Sequence, residues 1–139
     1  MHYLLDTCVL SEFSRQKPEQ KVIRWIEQMD EEQLFICSIT IGEIQRGIER
    51  LTDSQRKTAL LTWLANDLVE RFGPRVLPID CPTMLPWGSL SARLDASGRP
   101  LPVMDSLIAA CALQHNLVLV TRNTADFAVT GVSLINPWG

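Results

Sequence analysis

Two hydrophobic periods alternate along this chain. Short unbroken apolar runs mark strands buried on both faces of a parallel sheet. They occur from His2 to Asp6, at "LFIC" (Leu34 to Cys37) and at "LVLVT" (Leu117 to Thr121). "RVLPID" predicts a weaker strand, because Pro78 cannot donate to a ladder, and "VSLIN" (Val132 to Asn136) predicts a last one. Between these runs the apolar spacing turns helical. Val9, Leu10 and Phe13 recur within Thr7 to Arg15, and Val22, Ile23, Ile26 and Met29 recur in a helix that Pro18 suits as a first-turn residue. Ile41, Ile44, Ile48 and Leu51 share one helical face. "DSQRKTALLTWLANDLVERFG" predicts one long amphipathic helix ending at Gly73. "PTMLPWGSLSARLDASG" predicts a helix only in its second half, starting near Pro86, since proline inside a helix removes a hydrogen bond. A helix from about Asp105 to His115 and a turn at "RNTADF" complete the pattern. Strand and helix alternate from end to end. The expected class is α/β, a mainly parallel sheet flanked by helices, formed as one domain over residues 1–139.

Composition narrows the function. No run of roughly 18 apolar residues is present, so no membrane span is expected, and the start lacks the pattern of a signal peptide. Cys8, Cys37, Cys81 and Cys111 are scattered without a C-x-x-C pair, which points to reduced thiols in a cytoplasmic protein rather than a zinc or disulfide frame. The net charge of −3 argues against binding nucleic acid through a bulk positive field. It leaves room for a nucleic-acid enzyme whose acidic site takes up a divalent cation and so reverses its local sign.

Three carboxylates supply the candidate chemistry. Each has a plain structural explanation. Asp6 can cap the helix that begins at Thr7, Glu43 stands at capping-box spacing from Thr40, and Asp105 can be the N-cap of its helix. Their joint placement favours more. Asp6 follows the first strand, Asp105 opens the helix before "LVLVT", and Thr121 and Asn123 follow that strand. In a parallel sheet these points meet at one edge, where such folds bind ligands. Glu43 lies one turn before Gly47, where a missing side chain permits another backbone to come close. Carboxylates gathered there repel one another, and a hard divalent cation relieves the repulsion. Such a site can activate water against a phosphate.

"LLDTCVLSEF", "SITIGEIQRGIERL", "PVMDSLIAACALQHNLVLVTRNTADF" and the closing "NPWG" together resemble the PIN-domain proteins, in particular VapC toxins of type II toxin–antitoxin systems and their FitB-like branch. The resemblance covers nearly the whole chain. It implies a Mg²⁺- or Mn²⁺-dependent endoribonuclease, often directed at tRNA. It also implies a homodimer, inhibition by a VapB-like antitoxin, and promoter DNA bound only through that antitoxin. Carried over by position, the metal-binding acids are Asp6, Glu43 and Asp105, with Thr7 and Thr121 orienting them. The chain departs from the family at Cys8, where Asn is common, and at Asn123, where the fourth acid is commonly an Asp. Asn123 offers a carbonyl without charge, and Asp126 is the alternative fourth acid.

Among arginines suited to phosphate, Arg46, Arg50, Arg93, Arg99 and Arg122, the last flanks the expected site most closely. The broad apolar face of Trp63, Leu60, Leu61 and Leu64 fits core, dimer contact or antitoxin groove. Two other functions compete with the ribonuclease. One is a weakly active or inactive partner subunit, suggested by Asn123. The other is a phosphoryl-accepting domain with Asp6 as nucleophile, which would need a second nearby Asp that "DTC" does not supply.

Overall fold

The computed structural model describes residues 1–139. Five strands form one sheet: β1 (Tyr3–Leu5), β2 (Leu34–Cys37), β3 (Val76–Leu77), β4 (Val118–Val120) and β5 (Leu134–Ile135). Their order is β3-β2-β1-β4-β5 and every pairing is parallel, with Leu4 opposite Phe35 on one side and Leu119 on the other. The chain steps outward from β1 to β2 to β3, then returns to the far side of β1 to lay down β4. The strand order therefore reverses between β1 and β4, and a crevice opens at the carboxyl ends of that pair.

The apolar runs of the strands follow from burial on both faces. Successive side chains point to opposite sides. Tyr3, Leu5, Ile36 and Val120 join one core with Val9, Val22, Ile44, Leu64 and Phe72, while Leu4, Cys37 and Leu119 join the other with Ile108, Ala109, Leu90 and Phe127. Burying each large aliphatic side chain contributes about 1.5–3 kcal/mol before entropy is counted. Trp25 meets the edge of Tyr3 at 5.2 Å in the first core, and Trp138 packs the tail against the same core. The four cysteines are free. No helix is long and apolar enough to cross a membrane.

The helices are α1 (Thr7–Ser11), α2 (Gln20–Glu27), α3 (Ser38–Glu49), α4 (Gln55–Trp63), α5 (Cys81–Ala96), α6 (Val103–His115) and α7 (Thr124–Phe127). Several differ from the sequence reading. α2 starts after Pro18 because the buried Glu12 carboxylate accepts the Glu19 N–H at 2.8 Å and fixes the turn there. α4 does not run as one α-helix: residues 64–70 widen into a π-helical stretch, and Gly73 leaves it at φ +49°. Leu51 falls outside α3 and is exposed. α5 begins at Cys81 rather than near Pro86. The Asp80 carboxylate accepts from both the N–H and the hydroxyl of Thr83, so a capping box nucleates the helix five residues early and Pro86 is carried inside it. α6 ends at Asn116, whose φ of 54° is one that Asn tolerates better than most residues.

Candidate active site

Asp6 sits where β1 hands over to α1, and its extended backbone ends the strand while its N–H still bonds to Val120 of β4 at 3.0 Å. Its side chain is almost fully buried at 5% exposure. One oxygen, Oδ1, accepts the Thr7 N–H at 2.8 Å and so caps α1. The other, Oδ2, accepts the Thr121 hydroxyl at 2.8 Å. Thr121 is wholly buried just past β4, and its Oγ1 in turn accepts the Asn123 N–H at 3.0 Å. The β1–β4 crevice thus fixes the carboxylate from both sides. Cys8 lies against the same oxygen at 3.6 Å, and burial first and the Asp6 charge second push its thiol up from the ordinary range. It is a neutral neighbour, not a reactive thiolate.

Thr7 joins Asp6 to α3. Its hydroxyl donates to Glu43 Oε1 at 2.6 Å and lies 3.2 Å from the buried hydroxyl of Thr40. The capping-box explanation of Glu43 fails. α3 starts at Ser38 with Cys37 as its N-cap, which places Thr40 and Glu43 inside the helix. Asp105 is not an N-cap either: Pro102 holds that position and Asp105 stands in the first turn of α6 without a side-chain cap bond. Burial raises the Asp105 carboxyl above its usual range, and the charges of Asp6, Glu43 and Asp126 raise it further. The charges of Asp6 at the end of β1, Glu43 on α3 and Asp126 on α7 therefore all bear on Asp105 of α6. Of the three caps the sequence suggested, only Asp6 is one, and its charge also bears on Asp105.

The fourth corner divides between two residues. Asn123 precedes α7 with no side-chain cap bond, and it contributes through its backbone N–H to Thr121. Asp126, in the first turn of α7, is exposed and near enough for its charge to bear on Asp105. Arg122 turns its guanidinium over the Trp138 ring at 5.4 Å. Arg93 donates to the carbonyls of Val129 and Thr130, a structural tie. Gly47 does not meet another backbone as expected. A Cβ built there finds no atom within 4 Å, and the space belongs to an open cleft of about 850 Å³ that Glu43 and Thr7 also line.

The donor set fits a hard cation. Every candidate ligand is an oxygen, from a carboxylate or from the Asn123 amide, and repulsion among carboxylates is what a divalent ion relieves. No three of the acidic, His or Cys side chains close on one point as a protein-made cage. A hard cation there would be held by one or two direct carboxylates, with waters filling the remaining positions. Sequence reading took Thr40 only as a cap partner of Glu43 and missed its contact with Thr7.

A second concavity of about 430 Å³ is apolar and lies apart from the acids. Leu10, Phe13, Ile26, Met29, Trp63 and Phe72 line it, with Glu27, Glu31, Asp67 and Arg71 also in its lining.

The PIN domain family model matches residues 3–132. Toxin FitB of Neisseria gonorrhoeae is 32% identical over 135 residues, covering 97% of each chain. VapC ribonuclease Y4jK of Sinorhizobium fredii is also 32% identical, covering 97% of this chain and 96% of that protein. Among solved structures, FitAB bound to an IR36 DNA fragment superposes with a TM-score of 0.93 at 30% identity, over 99% of this chain and 96% of that one.

Proposed function

Because this chain belongs to the PIN-domain family, we propose that its four-carboxylate crevice hydrolyses RNA phosphodiester bonds as the toxin of a toxin–antitoxin pair. The observation that carries the reading is the Asp6 carboxylate held between Thr7 and Thr121, with Thr7 also bonded to Glu43 and the Asp6 charge bearing on Asp105. PIN-domain ribonucleases use a divalent metal, and Mg²⁺ or Mn²⁺ is the choice that this all-oxygen donor set supports. Asp6, Glu43 and Asp105 would hold the cation, one or two of them directly and the rest through water. When bound, it neutralises the acids, lowers the pKa of a coordinated water and polarises a phosphate oxygen. The protein's own contribution is orientation. Thr121 fixes Asp6 Oδ2, Thr7 aligns Glu43, and Asn123 braces Thr121 through its N–H. Asp126 is the fourth acid, since Asn123 brings no charge and its backbone is already engaged. The same reading places the protein with its RNA, in the cytoplasm.

Purified chain is expected to cut RNA, tRNA included, in Mg²⁺ or Mn²⁺, to stop in EDTA, and to resume when the metal is restored. Cleavage that continues at full rate in EDTA rules out the metal-dependent reading. A chain that neither cuts RNA nor slows growth when expressed without its antitoxin favours the inactive-partner alternative.

The apolar groove is the seat we assign to the antitoxin. An amphipathic helix could lay its apolar face on Phe13, Ile26 and Trp63 while basic residues meet Glu27, Glu31 and Asp67. Promoter DNA would be reached through that partner. Met84 and Leu85 leave apolar surface exposed near the start of α5, a face for a second copy. Sedimentation of the free chain should therefore give a dimer, and a monomer at micromolar concentration removes that assignment.

A further inference from the structure

We infer that the cleft beside α3 binds a single-stranded RNA segment next to the scissile bond, with Arg46 as its phosphate contact. The inference deepens the ribonuclease reading and takes the identity of the ligand from it. The cleft is continuous with the acidic site because Thr7 and Glu43 line both. At about 850 Å³ it is larger than a site for one hydrated cation needs. One side is α3, where Arg46 stands one turn beyond Glu43 and Gly42 and Gly47 leave the helix surface bare. A Cβ added at either glycine meets nothing within 4 Å, so the bare surface is not there to admit another part of the protein. The opposite side is apolar: Pro78 and Ile79 follow β3, and Met104 is half exposed in the first turn of α6.

The charges select the strand's backbone and the shape selects a single strand. Arg46 is the only cation in the cleft lining. It is exposed on α3, whereas Arg122 is held over Trp138 and Arg93 is spent on backbone carbonyls. A protein of net charge −3 lacks the field to gather a polyanion from a distance, so binding must come from such local contacts. A guanidinium matches a phosphate in geometry. Pro78, Ile79 and Met104 offer apolar surface to a base, which only an unpaired base can present. Duplex RNA keeps its bases stacked and paired, so it gains the phosphate contact alone.

The test uses the full chain carrying Asp6→Asn, so that binding is read without cleavage, and a labelled RNA offered single-stranded or annealed to its complement. Single-stranded RNA should bind more tightly than duplex. Arg46→Ala should weaken binding about tenfold, the loss expected of one charge-assisted phosphate contact, and Arg46→Lys should recover part of it. Arg24→Ala, which removes the same charge from α2, should leave binding nearly unchanged. Gly47→Gln should weaken binding by filling the cleft while its melting temperature holds or rises, because Gln is the better helix former. Equal effects of Arg46→Ala and Arg24→Ala, or duplex binding as tight as single strand, overturn the inference. So does an Arg46→Ala variant that keeps RNA but loses the antitoxin, which would assign the cleft to the protein partner. The two readings fail separately. A wild-type chain that cuts RNA while these differences vanish loses only the cleft. A chain that never cuts RNA while the differences persist loses only the nuclease.

Discussion

Asp6→Asn is expected to abolish RNA cleavage while the protein stays folded. Losing a group that merely orients a ligand typically costs 10–100-fold in metal affinity or activity, so losing the buried carboxylate itself should cost at least about a hundredfold. The substitution is a clean one because Asn keeps the shape. Its oxygen can go on accepting the Thr7 N–H that caps α1, and its amide can donate to Thr121, whose hydroxyl oxygen accepts in place of donating. The melting temperature should hold or rise, since one charge leaves the neighbourhood of Glu43, Asp105 and Asp126. Asp6→Ala is the poorer variant. It removes the cap and leaves Thr121 unsatisfied, costing about 1–3 kcal/mol and confusing lost chemistry with lost structure. Unchanged cleavage by a folded Asp6→Asn protein would remove Asp6 from the mechanism.

Phe13→Ala should weaken the antitoxin complex by about 2 kcal/mol or more, some thirtyfold in Kd, while RNA cleavage by the free chain is unaffected. Phe13 follows α1 and lines the apolar groove at 40% exposure, so it can be truncated without opening a core cavity. A large aromatic side chain in a concave apolar lining is the kind of residue that anchors a partner helix. The acidic residues of the groove point to a basic partner, so the residual affinity should fall as salt is raised. Titration of the antitoxin into wild-type and Phe13→Ala protein reads this directly. Equal affinities would move the antitoxin to another surface.

Much of the fold was legible because parallel strands buried on both faces leave unbroken apolar runs. β2 stands where "LFIC" predicts it, and β1 and β4 lie inside the longer runs His2 to Asp6 and "LVLVT". α5 was misplaced because a local rule about Pro86 was weighed without the Asp80–Thr83 capping box, a stronger signal five residues earlier. The π-helical stretch after α4 left no trace, since its apolar residues keep a nearly helical spacing. At the site, strand ends pointed to Asp6, the helix start before β4 pointed to Asp105, and the family resemblance added Glu43. What the pattern could not carry was contact across the fold: Thr121 on Asp6, Thr7 on Glu43, and the reach of Asp126 to Asp105. Those depend on the reversal of strand order between β1 and β4, which places residues more than a hundred positions apart side by side.

The Asp6 crevice is, centrally, proposed to be a divalent-cation site. Titrating Mn²⁺ into wild-type and Asp6→Asn protein without RNA, and following the free-ion signal by electron paramagnetic resonance, tests it apart from any activity. The wild type should take up Mn²⁺, Mg²⁺ should compete for it, and Asp6→Asn should bind far more weakly. Equal uptake by the two proteins, or none by the folded wild type, would contradict it.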